Sequence, residues 1–208
     1  MLSYNYSSKI LNGFFDKDLT GENDVFGNPI YADAKIIMDE EDRHIYIGLF
    51  ANYVEQDGTP KTGMPNEFGE NGREPGHWKI VNDKPVWELW PEYSRIQLDC
   101  RSRIDKKAEN LSLAQLQGNT AVVTSQEMLL FPEAYGDTDP NIEDKDAGWG
   151  VISGFGLYYA KSKDDPDAEL FLWGTITGDE DPDGNTDVKI GRYQVPVIRK
   201  GGLTISLQ

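Results

Sequence analysis

A single cysteine, Cys100, stands among 208 residues, so no disulfide can close within the chain. It lies in a strand-like run, where a lone thiol serves as a small apolar residue. Histidine is almost as scarce. His44 and His77 are thirty-three positions apart, and neither has a second His, Cys or carboxylate at ligand spacing, which leaves zinc without a donor set. No segment approaches the roughly 18 apolar residues of a spanning helix, and Met1 to Tyr6 carries no basic stretch leading into an apolar one. A soluble chain not exported by that route is the expectation. Basic residues are also short, twenty against thirty-six acidic, and a net charge of −16 repels phosphate backbones and anionic lipid surfaces. Direct nucleic-acid binding and membrane attachment are therefore not expected.

Apolar surface, by contrast, is plentiful: 38% of residues are hydrophobic, with ten tyrosines, eight phenylalanines and five tryptophans. At this length that supports one core without staples, and residues 1–208 read as a single domain. Ile10, Leu11, Phe14 and Phe15 share one helical stripe behind a Ser7 or Ser8 cap, which predicts a short N-terminal helix. Thr20 to Pro29 is turn-rich. Ala34 to Met38 and His44 to Phe50 read as strands around Asp39 to Asp42. Glycines and prolines crowd Gln56 to Gly76, predicting a long surface loop. Strand signals follow at Trp78 to Val81 and at Arg95 to Arg101, where Ile96, Leu98 and Cys100 share a face. Lys107 to Gly118 fits a helical turn or a strand equally well. Beyond it, Thr120 to Thr124, Glu127 to Phe131, Trp149 to Ala160, Glu169 to Thr177, Arg192 to Ile198 and Leu203 to Leu207 all read as strands. Many short strands with hardly a helix between them predict a mainly β protein, a single antiparallel β-sandwich, jelly-roll-like, with a short N-terminal helix.

The acidity is local. Fourteen acidic and three basic residues lie between Asp137 and Asp187, the acidic ones in three inter-strand segments at 137–146, 164–169 and 179–187 that read as solvated turns. Asp179, Asp181 and Asp183 with Gly184 imitate the start of a calcium loop, but Ile190 occupies the place of the bidentate glutamate, so the stretch reads as an acidic turn. There is no Gly-x-Ser-x-Gly elbow. Gly154-Phe155-Gly156 lacks the third glycine and the helix start of a dinucleotide motif. Glu88 and Glu92 flank Trp87 to Trp90, the combination sugar hydrolysis uses, although in so acidic a chain such pairs arise by chance. Trp78, Trp87, Trp90 and Tyr93 read as packing first and as a carbohydrate platform second. Pro85 and Pro91 bracket Trp87 to Trp90, which suits an edge strand or an extended arm. No catalytic, cofactor-binding or metal-ligating residue is assigned, and no cofactor is expected.

Phe131-Pro132-Glu133-Ala134, then Gly148 to Tyr158, then Glu169 to Thr177, then Gly201 to Leu207 resemble a family of small virion structural proteins of tailed bacteriophages, of the tail-fibre-like, minor tail or head-surface kind. The N-terminal half agrees: Ser8 to Phe15 resembles the family's leading helix, His44 to Phe50 its aliphatic-Gly-Leu-Phe strand, and Tyr93-Ser94-Arg95-Ile96 its Tyr-small-Arg-aliphatic strand. The acidic inserts at 137–146 and 179–187 and the loop at 56–76 depart from that pattern. Gly148, Gly150, Gly154 and Gly156 fall at even spacing, which bares one strand face for close approach, more plausibly within the fold than between subunits. The resemblance implies a non-enzymatic virion component made in the host cytoplasm and assembled in several copies at the tail, neck or fibre region. Its partners would be copies of itself and other phage structural proteins. The alternatives are a capsid-surface decoration protein and a host-glycan-binding module.

Overall fold

The computed structural model describes residues 18–23, 29–32, 44–98, 110–111, 115–117, 120–136, 148–176, 178 and 187–207. Among them there is no helix. The strands in chain order are β1 (Asp18–Asn23), β2 (Pro29–Ala32), β3 (His44–Ala51), β4 (Tyr53–Val54), β5 (Pro60–Lys61), β6 (Gly76–Val81), β7 (Lys84–Leu89) and β8 (Ile96–Leu98). They continue with β9 (Gln115–Gln117), β10 (Thr120–Thr124), β11 (Leu129–Leu130), β12 (Gly150–Ala160), β13 (Glu169–Thr175), β14 (Val188–Ile190), β15 (Val197–Ile198) and β16 (Thr204–Leu207).

The central sheet runs β13-β12-β3-β8, and β14 pairs with the stretch of β12 that β13 leaves free. A second sheet orders β16-β10-β9, and β11 pairs with β15. Three further two-stranded pairs are β1 with β2, β4 with β5 and β6 with β7, and every pairing is antiparallel. One apolar cluster is shared between the sheets: Ile45, Ile47, Leu49, Ile152 and Leu157 from the central sheet meet Val123, Leu129, Leu203 and Ile205. The protein is thus mainly β, built from several antiparallel sheets around one buried cluster.

β3 is buried almost throughout, which is why it reads as a continuous apolar run instead of an alternating one. Its odd-numbered residues face the shared core. Its even-numbered residues face the other way, and there Gly48 lies directly opposite Gly156 of β12. The missing side chains leave a hollow that the segment following β5 fills. A Cβ on Gly48 would collide with the Glu74 carboxylate, and one on Gly156 would lie 2.8 Å from the Phe50 ring. The glycine-bared face therefore receives part of the same chain. The even spacing does not carry through to Gly148 and Gly150, because the β3 pairing shifts register between Ile152 and Gly154.

Several expectations are revised. Thr20 to Pro29, read as turns, lies partly in β1, whose Leu19 pairs with Tyr31. The loop at 56–76 contains the short β5, and it is not merely superficial, since Gly63, Glu74 and Pro75 are buried. Arg192 to Ile198 is strand only at Val197–Ile198, because Tyr193 turns the backbone at φ 64°. In the ambiguous stretch 107–118, Gln115–Gln117 is strand and Leu111 forms a bridge to Ser125. The segment 164–169 includes the turn between β12 and β13, where Asp165 accepts the backbone N–H groups of Lys161 and Asp167. The helix expected at residues 10–15, the strand at 34–38, Cys100 and the acidic segments 137–146 and 179–186 lie outside the described residues.

Candidate functional site

Tyr93 and Arg95 are two residues apart in an extended segment, so their side chains leave the same face. Both reach Glu74. The Tyr93 hydroxyl donates to Glu74 Oε1 at 2.7 Å and accepts the Leu49 N–H at 2.9 Å. Arg95 donates through Nε to Oε1 at 2.9 Å and through Nη2 to Oε2 at 2.6 Å, while its Nη1 donates to the Asp165 carbonyl at 2.9 Å. The guanidinium also lies over the Tyr158 ring, 4.3 Å from its centroid. Glu74 and Arg95 are only 6% and 8% exposed, so this is a buried ion pair whose polar atoms are occupied from all sides. Burial works against the Arg95 cation, but the Glu74 hydrogen bonds and charge outweigh it and raise its pKa. Burial and the Glu74 charge push the phenols of Tyr93 and Tyr158 above their ordinary values, which keeps both neutral.

Glu74 also anchors the β6–β7 hairpin, since its backbone carbonyl accepts the Trp87 indole N–H at 3.1 Å. The hairpin turns at Asn82 and Asp83, with φ of 51° and 60°, the left-handed pair that a two-residue turn requires. Trp78 pairs with Trp87 and Ile80 with Pro85, which puts these four on one face. At the base of that face Trp78 and Trp87 meet edge to face at 5.3 Å, and Tyr53 packs against Trp87 at 5.2 Å. The Arg73 guanidinium sits among all three rings at 5.4–5.9 Å. Toward the tip Ile80, Val81 and Val86 are exposed.

The carboxylates singled out in the sequence go separate ways. Glu88, on the opposite hairpin face, accepts Lys79 Nζ at 2.9 Å and lies 3.8 Å from His77. Glu92 points toward the other end of the core, where its Oε1 accepts the N–H groups of Tyr135 and Gly136 and the Trp149 indole N–H at 2.8–3.1 Å. Burial disfavours the Glu92 charge, but these donors and its own backbone N–H outweigh it, so its pKa is lowered. Trp90 stacks on His77 at 4.3 Å, and Tyr93 packs edge-on against Trp149 at 5.1 Å. Of the tryptophans grouped as a platform, Trp78 borders a hollow of about 420 Å³. Among the described residues no group of three or more His, Cys, Asp or Glu is placed to hold a metal ion.

A second feature lies on the surface. The β11–β15 pair extends past its strands through bonds from the Phe131 N–H to the Pro196 carbonyl at 3.0 Å and from the Ala134 N–H to the Gln194 carbonyl at 2.8 Å. Along this ribbon Met128, Leu130, Tyr135, Tyr193, Val195 and Val197 are each 40–63% exposed. Leu130 stands opposite Val197, and the Tyr135 and Tyr193 rings meet at 5.6 Å. Beside it lies a hollow of about 590 Å³ bordered by Phe131, Phe155, Ile176, Val188 and Val197 together with Thr175, Arg199 and Thr204.

Sequence reading found the aromatic cluster but missed Glu74, Arg95 and the exposed ribbon. The two-residue spacing of Tyr93 and Arg95 was the available signal, since it forces both polar heads to one side of an extended chain. No family model, no curated protein and no solved structure matches the chain.

Proposed function

We propose that this chain is a non-enzymatic structural component of a tailed-phage virion, a single jelly-roll-like β-sandwich assembling in several copies at the tail, neck or fibre region. The resemblance of its glycine and aromatic motifs supports the virion assignment. The exposed ribbon carries the assembly reading: six large apolar side chains in one strip exceed the scattered exposure usual for a monomer. Covering half-exposed side chains of this kind recovers about 1 kcal/mol each. Two ribbons together then contribute of order 10 kcal/mol, comparable to the roughly 4–15 kcal/mol lost in association. Isolated subunits therefore associate weakly, and a stable assembly needs closed symmetry or neighbouring proteins.

Mass spectrometry of purified particles tests the assignment: the chain is expected among the virion proteins, and its absence refutes the reading. Sedimentation of the isolated chain should show association that rises with concentration. It should also tighten with added salt, because screening relieves the repulsion between copies of charge −16.

A further inference from the structure

We propose that the β6–β7 hairpin is an arm whose tip seats in the hollow beside the ribbon of a second copy of this chain. Such a contact presupposes that the chain assembles in several copies, and it gives the assembly a second surface besides the ribbon. The hairpin reaches away from its base: past the Trp78–Trp87 rung come Lys79 with Val86, Ile80 with Pro85 and Val81 with Lys84, before the turn at Asn82 and Asp83. At about 3.3 Å per residue that is an extension of roughly 13 Å. Among the described residues β6 and β7 pair only with each other. Ile80 lies on one face of the tip and Val81 and Val86 on the other, and the three are 62%, 42% and 45% exposed. A tip that is apolar on both faces is matched by enclosure and not by lying flat on a surface. Pro85 has no N–H and blunts strand addition along β7, which favours contact through side chains.

The hollow offers that enclosure. Leu49, Ile152, Ile190 and Leu203 are its buried lining, each no more than 8% exposed, and Phe155 and Ile176 are half-buried beside them. Thr175, Arg199 and Thr204 stand exposed at its rim. A volume of about 590 Å³ lies in the range of sites that enclose a compact apolar group, and Ile80, Val81 and Val86 are such groups. Seating them removes apolar surface from water on both partners. The hollow also adjoins the ribbon through Phe131 and Val197, so the two surfaces are continuous.

The hollow that receives the arm belongs to another copy. The hairpin is anchored through Glu74, whose segment plugs the even-numbered face of β3, whereas Leu49 and its β12 partner Phe155 border the hollow from the opposite face. The central sheet thus stands between the arm's base and the hollow of its own chain. Charge agrees with this choice. Lys79 and Lys84 balance Asp83 and Glu88, so the hairpin is neutral in a chain of charge −16 and approaches another copy without adding to the repulsion. Asp83 at the tip and Arg199 on the rim are of opposite sign, and neither makes an ion pair among the described residues. Each is the counter-charge available to the other.

The test combines sedimentation equilibrium of the full chain with thiol cross-linking of mixed copies. Ile80→Lys should raise the association Kd by about tenfold or more. Phe68→Lys, the same kind of change at an exposed residue outside both surfaces, should leave it unchanged. Asp83→Asn and Arg199→Gln should each weaken association by about twofold to fivefold, and together no more than either alone. Copies carrying Lys84→Cys mixed with copies carrying Arg199→Cys should be joined by a short bis-maleimide, with each variant alone and the native chain as controls for Cys100. Association that survives Ile80→Lys overturns the contact. So does a mixture no more cross-linked than its components, or cross-linking of Lys84→Cys copies alone beyond the native level. Any of these leaves assembly through the ribbon standing, whereas a chain that sediments as a monomer at every concentration removes the assembly reading as well.

Discussion

Replacing Glu74 by glutamine preserves the side chain's size and removes its charge, which isolates the electrostatic part of the buried cluster. In the native protein Glu74 meets Arg95 through charge-assisted bonds, one of them at 2.6 Å, and accepts from Tyr93 at 2.7 Å. Glutamine keeps one acceptor oxygen but offers an NH₂ where Arg95 donates, so the guanidinium is left buried without a counter-charge. Removing one partner of a buried pair costs about 3–5 kcal/mol. Because Arg95 retains the Asp165 carbonyl and the Tyr158 ring, the lower end, about 3 kcal/mol, is the expected loss. Urea unfolding at pH 7 should show it as a lower midpoint at unchanged slope, and thermal unfolding as a drop of about 6–12 °C for a chain of this size. A double-mutant cycle completes the test. Glu74→Met with Arg95→Met removes both charges and should cost less than the two single changes combined, by about 2 kcal/mol or more. A loss under about 1 kcal/mol for Glu74→Gln, or a coupling near zero, would refute the reasoning, because the pair would then be solvated or dispensable.

Three other outcomes follow from the same geometry. Gly48→Ala forces a methyl group into the Glu74 carboxylate and should cost about 1–3 kcal/mol by overpacking, read by urea unfolding; a neutral result would place Glu74 elsewhere. Glu92 has a lowered folded-state pKa, so its contribution is fully present above the unfolded value of about 4.3 and is lost as pH falls through the folded value. Glu92→Gln should therefore flatten the stability profile on that acid limb, and a variant whose acid limb matches the native one contradicts the assignment. Leu130→Lys with Val197→Lys should shift sedimentation to the monomer at concentrations where the native chain associates, by about tenfold or more in Kd, while leaving the fold intact because both side chains are exposed.

The strands of the central sheet were readable because His44 to Phe50 and Trp149 to Ala160 are apolar on both faces and bounded by charge or turn residues. The segment at Trp87 read as an edge strand or an extended arm, and among the described residues it pairs with β6 alone in a two-stranded hairpin. Its turn escaped notice because Asn82-Asp83 lacks the glycine that usually marks such a site, although Asn and Asp tolerate the same backbone. The Glu74–Arg95 pair was less legible still. Glu74 sits in a stretch whose glycines and prolines suggest solvent, and its partner is twenty-one residues away, so no local pattern distinguishes it from the other acidic residues. The exposed ribbon was hidden for the opposite reason. Leu130 and Val197 look like core residues in sequence, and only the pairing of β11 with β15 turns them outward together.

The glycine pair at the middle of β3 and β12 makes the plug a separable part of the fold. Without side chains at Gly48 and Gly156, the two strands are aligned by neighbouring pairs such as Ile47 with Leu157. So aligned, they present a notch that the 63–75 segment plugs, with Tyr93 and Arg95 receiving its carboxylate. The plug's own contact spans 21 residues, Glu74 to Arg95, whereas the ladder joins strands as far apart as Ile47 and Leu157, so the ladder and not the plug carries the costlier closure. Gentle heating should draw the plug and wet Phe50, against which Gly72 packs, while the paired strands persist.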